Sequence, residues 1–294
     1  VKAKTINAIL SKKFDAFVES ITDAKVQKMV RENTIITGGA ITSMLLKEDV
    51  KDFDLYFTNK ETALAVAEYY VAKFNEKHDR EVKVEETPEG RVKIVVKSAG
   101  VAAEDPSMLD SAFEDAAETL NEQDEERTRK QDEAKGKFRP VFMSSNAITL
   151  AGKVQIVIRF YGDADTIHSN YDFVHCTNYW TSKDRKLTLQ ADAMASTLAK
   201  ELVYQGSKYP LCSVIRTRKF IKRGWTCSAG QYLKMLFQVS QLDLNDIAVL
   251  EDQLVGVDSA YFMQIIEHLK AASEENPDFK FDNTYLCELI DQIF

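Results

Sequence analysis

The chain has 294 residues, 45% of them hydrophobic and 29% charged, with a formal net charge of −8. That composition belongs to a globular protein with a sizeable core and excludes a mostly disordered chain. No run approaches the ~18 apolar residues of a membrane span, the first residues lack a secretory h-region, and Cys176, Cys212, Cys227 and Cys287 form neither a C-x-x-C pair nor a zinc spacing; a cytoplasmic protein with reduced thiols and no membrane partner is therefore expected.

In chain order, apolar residues at helical intervals predict an amphipathic helix over Phe14 to Arg31, and Thr34-Ile35-Ile36 a short strand. Gly38 and Gly39 break that strand, Ala40 to Leu46 predicts a helix, and Asp52 to Asn59 a second strand. A long helix follows from Lys60, then a hairpin around the turn Thr87 to Gly90. Strands are expected again over Ala147 to Gly162 and over Asp172 to Trp180, and the pattern turns helical from about Gln190. The fold class is α+β: a mixed sheet flanked by helices over 1–189, with an acidic insertion at about 100–137, and an all-helical region over 190–294.

Charge is unevenly distributed. Glu104 to Lys137 holds twelve acidic against five basic residues, whereas Leu202 to Leu242 holds seven basic residues and no acidic one. The first stretch is a solvated insertion or an arm that covers the basic surface; the second attracts phosphate whatever the whole-chain charge.

Side chains alternate faces along a strand, so Asp52, Asp54 and Tyr56 share one face while Phe53, Leu55 and Phe57 take the other into the core. Two neighbouring carboxylates repel each other unless a cation lies between them, and Mg²⁺ favours such oxygens while keeping positions for phosphate. Gly38 and Gly39 allow backbone N–H groups to approach a phosphate at a helix N-terminus.

The order of these pieces resembles the nucleotidyltransferase signature of the DNA polymerase beta superfamily, in the form used by CCA-adding enzymes and bacterial poly(A) polymerases. That signature has a glycine pair, a helix with two leucines, and D-x-D thirteen steps after the second glycine; Gly39 to Asp52 is thirteen steps, with Leu45 and Leu46 between. Tyr171 to Trp180 resembles the family's R-D-F-T-I-N-A-L-A-Y stretch through Asp172 and Phe173, with Tyr171 in place of the arginine and Asn178 two residues late. The same stretch resembles nucleotidyltransferase-like proteins of tailed bacteriophages. Tyr209 to Trp225 resembles the family's arginine helix, matching Arg216, Lys219 and Arg223 to its arginines.

The resemblance implies a nucleotidyltransferase that moves NMP from an NTP to a hydroxyl on RNA, tRNA or protein. Asp52 and Asp54 would be catalytic and hold Mg²⁺ or Mn²⁺; Gly38, Gly39, Ser43, Asp172, Arg216, Lys219 and Arg223 would bind the nucleotide. There are departures. Ile41-Thr42-Ser43 replaces the family's V-R-D, and Gln155 occupies the third acidic position, which Asp172 could fill if its strand ran beside Asp52 to Phe57. They point to an alternative, an inactive member of the fold serving as a binding or structural component of a phage or virion. His168, His175, Trp180 and Trp225 are expected to be structural.

Overall fold

The N-terminal apolar pattern forms two helices rather than one. In the computed structural model, which describes residues 1–78, 81–96, 101–102, 138–254 and 260–293, α1 (Ala3–Glu19) buries Ile6, Leu10, Phe14, Phe17 and Val18. The helix α2 (Ala24–Asn33) restarts after Asp23, whose carboxylate accepts from the N–H groups of Lys25 at 2.9 Å and Val26 at 3.1 Å. An aspartate that satisfies the orphan donors of a first turn is a helix start, and periodicity alone does not register it. The acidic stretch Glu104 to Lys137 lies outside the described residues.

The elements that follow are β1 (Thr34–Thr37), α3 (Gly39–Leu46), β2 (Phe53–Phe57), α4 (Lys60–His78), β3 (Lys83–Glu86), β4 (Val92–Val95), β5 (Val101–Ala102), β6 (Pro140–Met143), β7 (Ala147–Leu150), β8 (Val154–Tyr161) and α5 (Ala164–His168). After a 3-10 turn at Val174–Cys176 come β9 (Tyr179–Thr181), β10 (Lys186–Thr188), α6 (Ala191–Ala199), α7 (Pro210–Lys222), α8 (Ala229–Val239), α9 (Ile247–Leu254), α10 (Ala260–Glu275) and α11 (Asn283–Ile293). Among the described residues, eight strands form a sheet in the order β10-β9-β1-β2-β8-β7-β6-β5, while β3 and β4 pair as a separate hairpin. The β2–β8 pair is parallel and the other neighbours are antiparallel, so the sheet is mixed as expected.

One sheet face packs against α1, α2 and α4. Ile36, Phe53, Leu55, Phe57, Ile156 and Ile158 meet Phe14, Phe17, Tyr70 and Phe74 there. Each fully buried side chain of this size contributes about 2 kcal/mol by transfer alone. On the other face a smaller cluster of Ile35, Tyr56, Ala164 and Ile167 covers the middle of β1 and β2.

Within Asp172 to Trp180 the chain forms the 3-10 turn at Val174–Cys176, with a strand only from Tyr179. Its backbone is held from three sides: Val174 N–H donates to Val203, while the carbonyls of His175 and Cys176 accept from Thr42 Oγ1 and Gly38 N–H. Although β10 ends at Thr188, near the expected boundary, α6 packs back onto this turn and α3. Phe173 also joins Leu202, Tyr204, Phe220, Trp225 and Met235 in one cluster, and a second helical core forms around Leu250, Ile265 and Leu269.

Candidate active site

The site is built where β1 turns into α3. Gly38 has φ 91° and ψ −154°, a conformation that L side chains rarely adopt, and its N–H donates to the carbonyl of Cys176 at 3.2 Å. A Cβ at this position would stand 2.8 Å from Asp54 Oδ2 and 3.7 Å from Tyr171 Oη. Glycine is thus required twice, by backbone angle and by the carboxylate beside it. Gly39 has no atom within 4 Å of its own Cβ position, so the outer side of the turn is open at the first residue of α3. Among the described residues no side chain caps α3, and the N–H groups of its first turn have no partner within the helix.

Strand register supplies the rest. Thr37 lies opposite Asp54, and Asp54 lies level with Gln155 on parallel β8. Asp52 immediately precedes β2, and both aspartates are half-buried. Gln155 therefore occupies the position beside the carboxylates that the sequence assigned to it, bringing a neutral amide. The buried hydroxyl of Thr37 donates to the carbonyl of Asn178 at 2.8 Å and accepts from His168 Nε2 at 2.8 Å. Burial lowers the pKa of His168 to about 4, against a smaller opposing effect of Asp165, so its ring is neutral near pH 7 and braces Thr37.

Tyr56 and Tyr171 share a hydrogen bond next to Asp54. Burial raises both phenol pKa values, and the negative charge of Asp54 raises them further. Their ring centroids are 5.9 Å apart. Where the resemblance implied an arginine, Asp54 thus faces a neutral phenol. The alternation along β2 already placed Tyr56 on the aspartate face; the arrival of Tyr171 depends on the 3-10 turn and has no local signal.

The basic helix divides into two ends. Arg216 pairs with Asp172 at 3.1 Å, and the same carboxylate accepts from Ser213 Oγ at 2.9 Å. Asp172 is buried, sits on no strand beside β2 and is committed to α7, which corrects the expectation that it could be a third metal ligand. Arg223 donates to Ser43 Oγ at 3.2 Å and pairs with Glu48, whose carboxylate also holds Lys200 at 3.0 Å. Ser43 and Arg223 are therefore brought together, in an ion-pair brace between α3 and α7. Burial disfavours the charge of Glu48, yet Arg223 and Lys200 hold its carboxyl below the usual range. Lys219 is half-buried on the same helix side.

All three cations bear on the 3-10 turn. The pKa of His175 falls to about 3, first through burial and then through Arg216, Arg223 and Lys219. Cys176 is pushed up to about 12 by burial, with Arg216 and Lys219 opposing. The positive end of the site thus lies behind the turn whose carbonyl holds Gly38. Trp180 and Trp225 are core residues, 0% and 3% exposed. Among the described residues no cluster of three or more His, Cys, Asp or Glu is placed to hold a metal.

Comparison with known proteins adds a family. A family model described as "Gabija anti-defense 2 family protein" matches residues 8–200, well over half of the chain. The curated "Gabija anti-defense 2" of Bacillus phage SPbetaL7 is 22% identical over 151 residues, covering 48% of this chain and 38% of that protein; the chain thus spans well under half of this relative. Among solved structures, one titled "Structure of tRNA-processing enzyme with CTP" has a TM-score of 0.38 at 12% identity, covering 88% of this chain and 59% of that one. A Thermotoga maritima CCA-adding enzyme complexed with tRNA has a TM-score of 0.39 at 10% identity, covering 92% and 57%. The chain belongs to the Gabija anti-defense 2 family.

Proposed function

We propose that this member of the Gabija anti-defense 2 family is a phage-encoded nucleotidyltransferase that moves NMP from an NTP to a hydroxyl acceptor on RNA, in the anti-defense role its family name carries. The observation that supports this reading most is the apposition of Gly38 and Asp54: a backbone turn open toward ligand at Gly39, set against a carboxylate with no room for a side chain between them. An inert surface turn has no need of that contact.

The donor set fits Mg²⁺ or Mn²⁺. Mg²⁺ is bound by one or two carboxylates plus substrate phosphates, and Asp52 with Asp54 supplies the carboxylates. When bound, such an ion neutralises charge on the α-phosphate during in-line displacement. The chain's own residues do the remainder. The open N–H groups of α3 receive the β- and γ-phosphates, Lys219 and Arg216 supply positive field beside them, and Arg223 braces α3. The acceptor hydroxyl oxygen forms the new bond to the α-phosphorus as the α–β bridge breaks and pyrophosphate leaves toward Gly38 and Gly39. An amide cannot take the hydroxyl proton, so that task falls to Asp52, Asp54 or water rather than Gln155.

Incubating the protein with each labelled NTP, Mg²⁺ or Mn²⁺ and total RNA, then separating labelled RNA from labelled protein, tests the reading. Label in RNA is expected; label in neither fraction, with every nucleotide and both metals, would overturn it. Gln155 favours a second reading, a binding component that kept the fold without chemistry. Gln155→Glu separates the two. In an enzyme the variant tightens Mn²⁺ binding and changes the transfer rate, whereas in an inert protein it yields no transfer at any metal concentration.

A further inference from the structure

We infer that a single-stranded polynucleotide lies along the site-side face of β8, running from Asp54 to a basic and aromatic cluster made by Arg159, Phe160, Lys208 and Tyr209. This rests on the proposed function only for what happens at the Asp54 end. Gln155 is level with Asp54, and alternation continues that face through Val157 to Arg159. Four residues of strand span about 13 Å, the length of a few stacked nucleotides at roughly 3.4 Å each. The β2–β8 register shifts between Leu55 and Phe57, and Phe160 packs on the same side, against the cluster of Ile35 and Tyr56.

The chemistry at the far end is that of a strand-binding surface. The Arg159 guanidinium lies 4.3 Å from the ring centroid of Tyr209 and 5.4 Å from that of Phe160, and Lys208 Nζ lies 5.8 Å from the latter. Lys208 is exposed, while Arg159, Phe160 and Tyr209 are half-buried. Arg91 adds a third positive charge within electrostatic reach of Arg159, against the carboxylate of Asp252. The neighbouring Glu251 is paired with Lys270 at 2.7 Å. Rings and guanidinium planes stack on unpaired bases, and cations between them follow phosphates; a duplex keeps its bases stacked internally and cannot use the rings. Lys208 thus separates from the rest of the basic stretch, whose Arg216 and Arg223 are committed to Asp172 and Glu48.

Fluorescence anisotropy with the full chain tests this, using a short labelled oligouridylate, the same sequence as DNA, and a blunt RNA duplex. Both single strands should bind more tightly than the duplex, and a preference between them identifies which polynucleotide is the ligand. The double variant Arg159→Gln with Lys208→Gln should weaken single-strand binding about tenfold or more and reduce the slope of log K against log salt by about 1.4, as two lost phosphate contacts require. Tyr209→Leu should weaken binding about tenfold with the slope unchanged, since it removes stacking and no charge. The matched control is Lys25→Gln with Lys28→Gln, which removes equal charge from the opposite side of the sheet. Equal weakening by control and test pairs, or tighter binding of the duplex, would overturn the inference. Lys208→Gln alone, at an exposed position, gives the same reading if the Arg159 variant fails to fold. Transfer and binding are scored separately: a protein that binds single strands here yet transfers nothing overturns the proposed function, and one that transfers with the cluster removed at no cost in binding overturns this surface.

Discussion

The two faces of the central strands β1, β2 and β8 come from the same few residues and do different work. One face is continuous hydrocarbon: Ile36, Phe53, Leu55, Phe57, Ile156 and Ile158 pack on the three covering helices. The other is a mosaic in which Asp54, Gln155 and Arg159 alternate with the small apolar patch of Ile35 and Tyr56. A residue on the first face is judged by the volume it fills. On the second, what matters is the charge and the space it presents to something outside the protein.

Adjacent residues on β2 give the sharpest contrast. Asp54→Asn should abolish nucleotidyl transfer while leaving the urea midpoint unchanged or higher, because a repulsive charge is removed. Leu55→Ala, one residue away and 1% exposed, should cost about 2–5 kcal/mol in stability through the cavity it leaves, with transfer per folded molecule retained. Should Asp54→Asn unfold the protein, or Leu55→Ala leave its stability unchanged, the division between the faces would fail.

Gly38→Ala joins the two effects at one site. A positive φ and a Cβ 2.8 Å from Asp54 Oδ2 should together cost about 1–3 kcal/mol and displace the carboxylate, lowering transfer far more than stability. Gly39→Ala is the comparison, since its Cβ meets nothing within 4 Å; it should fold normally and weaken only NTP binding. Equal stability losses in the two variants would show that the turn, and not Asp54, sets the requirement.

This contrast also marks what was legible in the sequence. The two faces of β2 could be read because a period of two is a property of consecutive residues. The glycine pair and its spacing to Asp52 were local as well. The break at Asp23 was hidden because apolar residues keep helical intervals across it. The 3-10 turn in Asp172 to Trp180 was hidden because a short apolar run with histidine and cysteine has the composition of a strand, and its backbone partners, Gly38, Thr42 and Val203, lie on other elements. Glu48 carried no signal at all, its partner Arg223 being 175 residues away.

The two ends of the basic helix extend the comparison to smaller effects. Lys219→Ala should weaken NTP binding about tenfold through loss of a charge-assisted phosphate contact, whereas Lys73→Ala, on α4 and on the packed side of the sheet, should not change it. An identical affinity in both variants would remove Lys219 from the nucleotide site.

Glu48→Gln should have the smallest effect, and its pH dependence identifies its origin. Arg223 and Lys200 hold the folded carboxyl below its ordinary value of 4.5, so around that pH the unfolded chain binds more protons than the folded one. The stabilisation is then fully present above about pH 5 and is lost as pH falls through the lowered folded value. Both cations are about one-third exposed, which holds the contribution to about 1 kcal/mol or less after solvent screening. Urea denaturation of the parent and of Glu48→Gln should therefore differ slightly at pH 7 and converge once the pH is below the lowered folded value, with NTP affinity equal at pH 7. A gap that does not narrow as the pH falls would assign the effect to packing, and a loss of NTP affinity would move Arg223 from the brace into the nucleotide site.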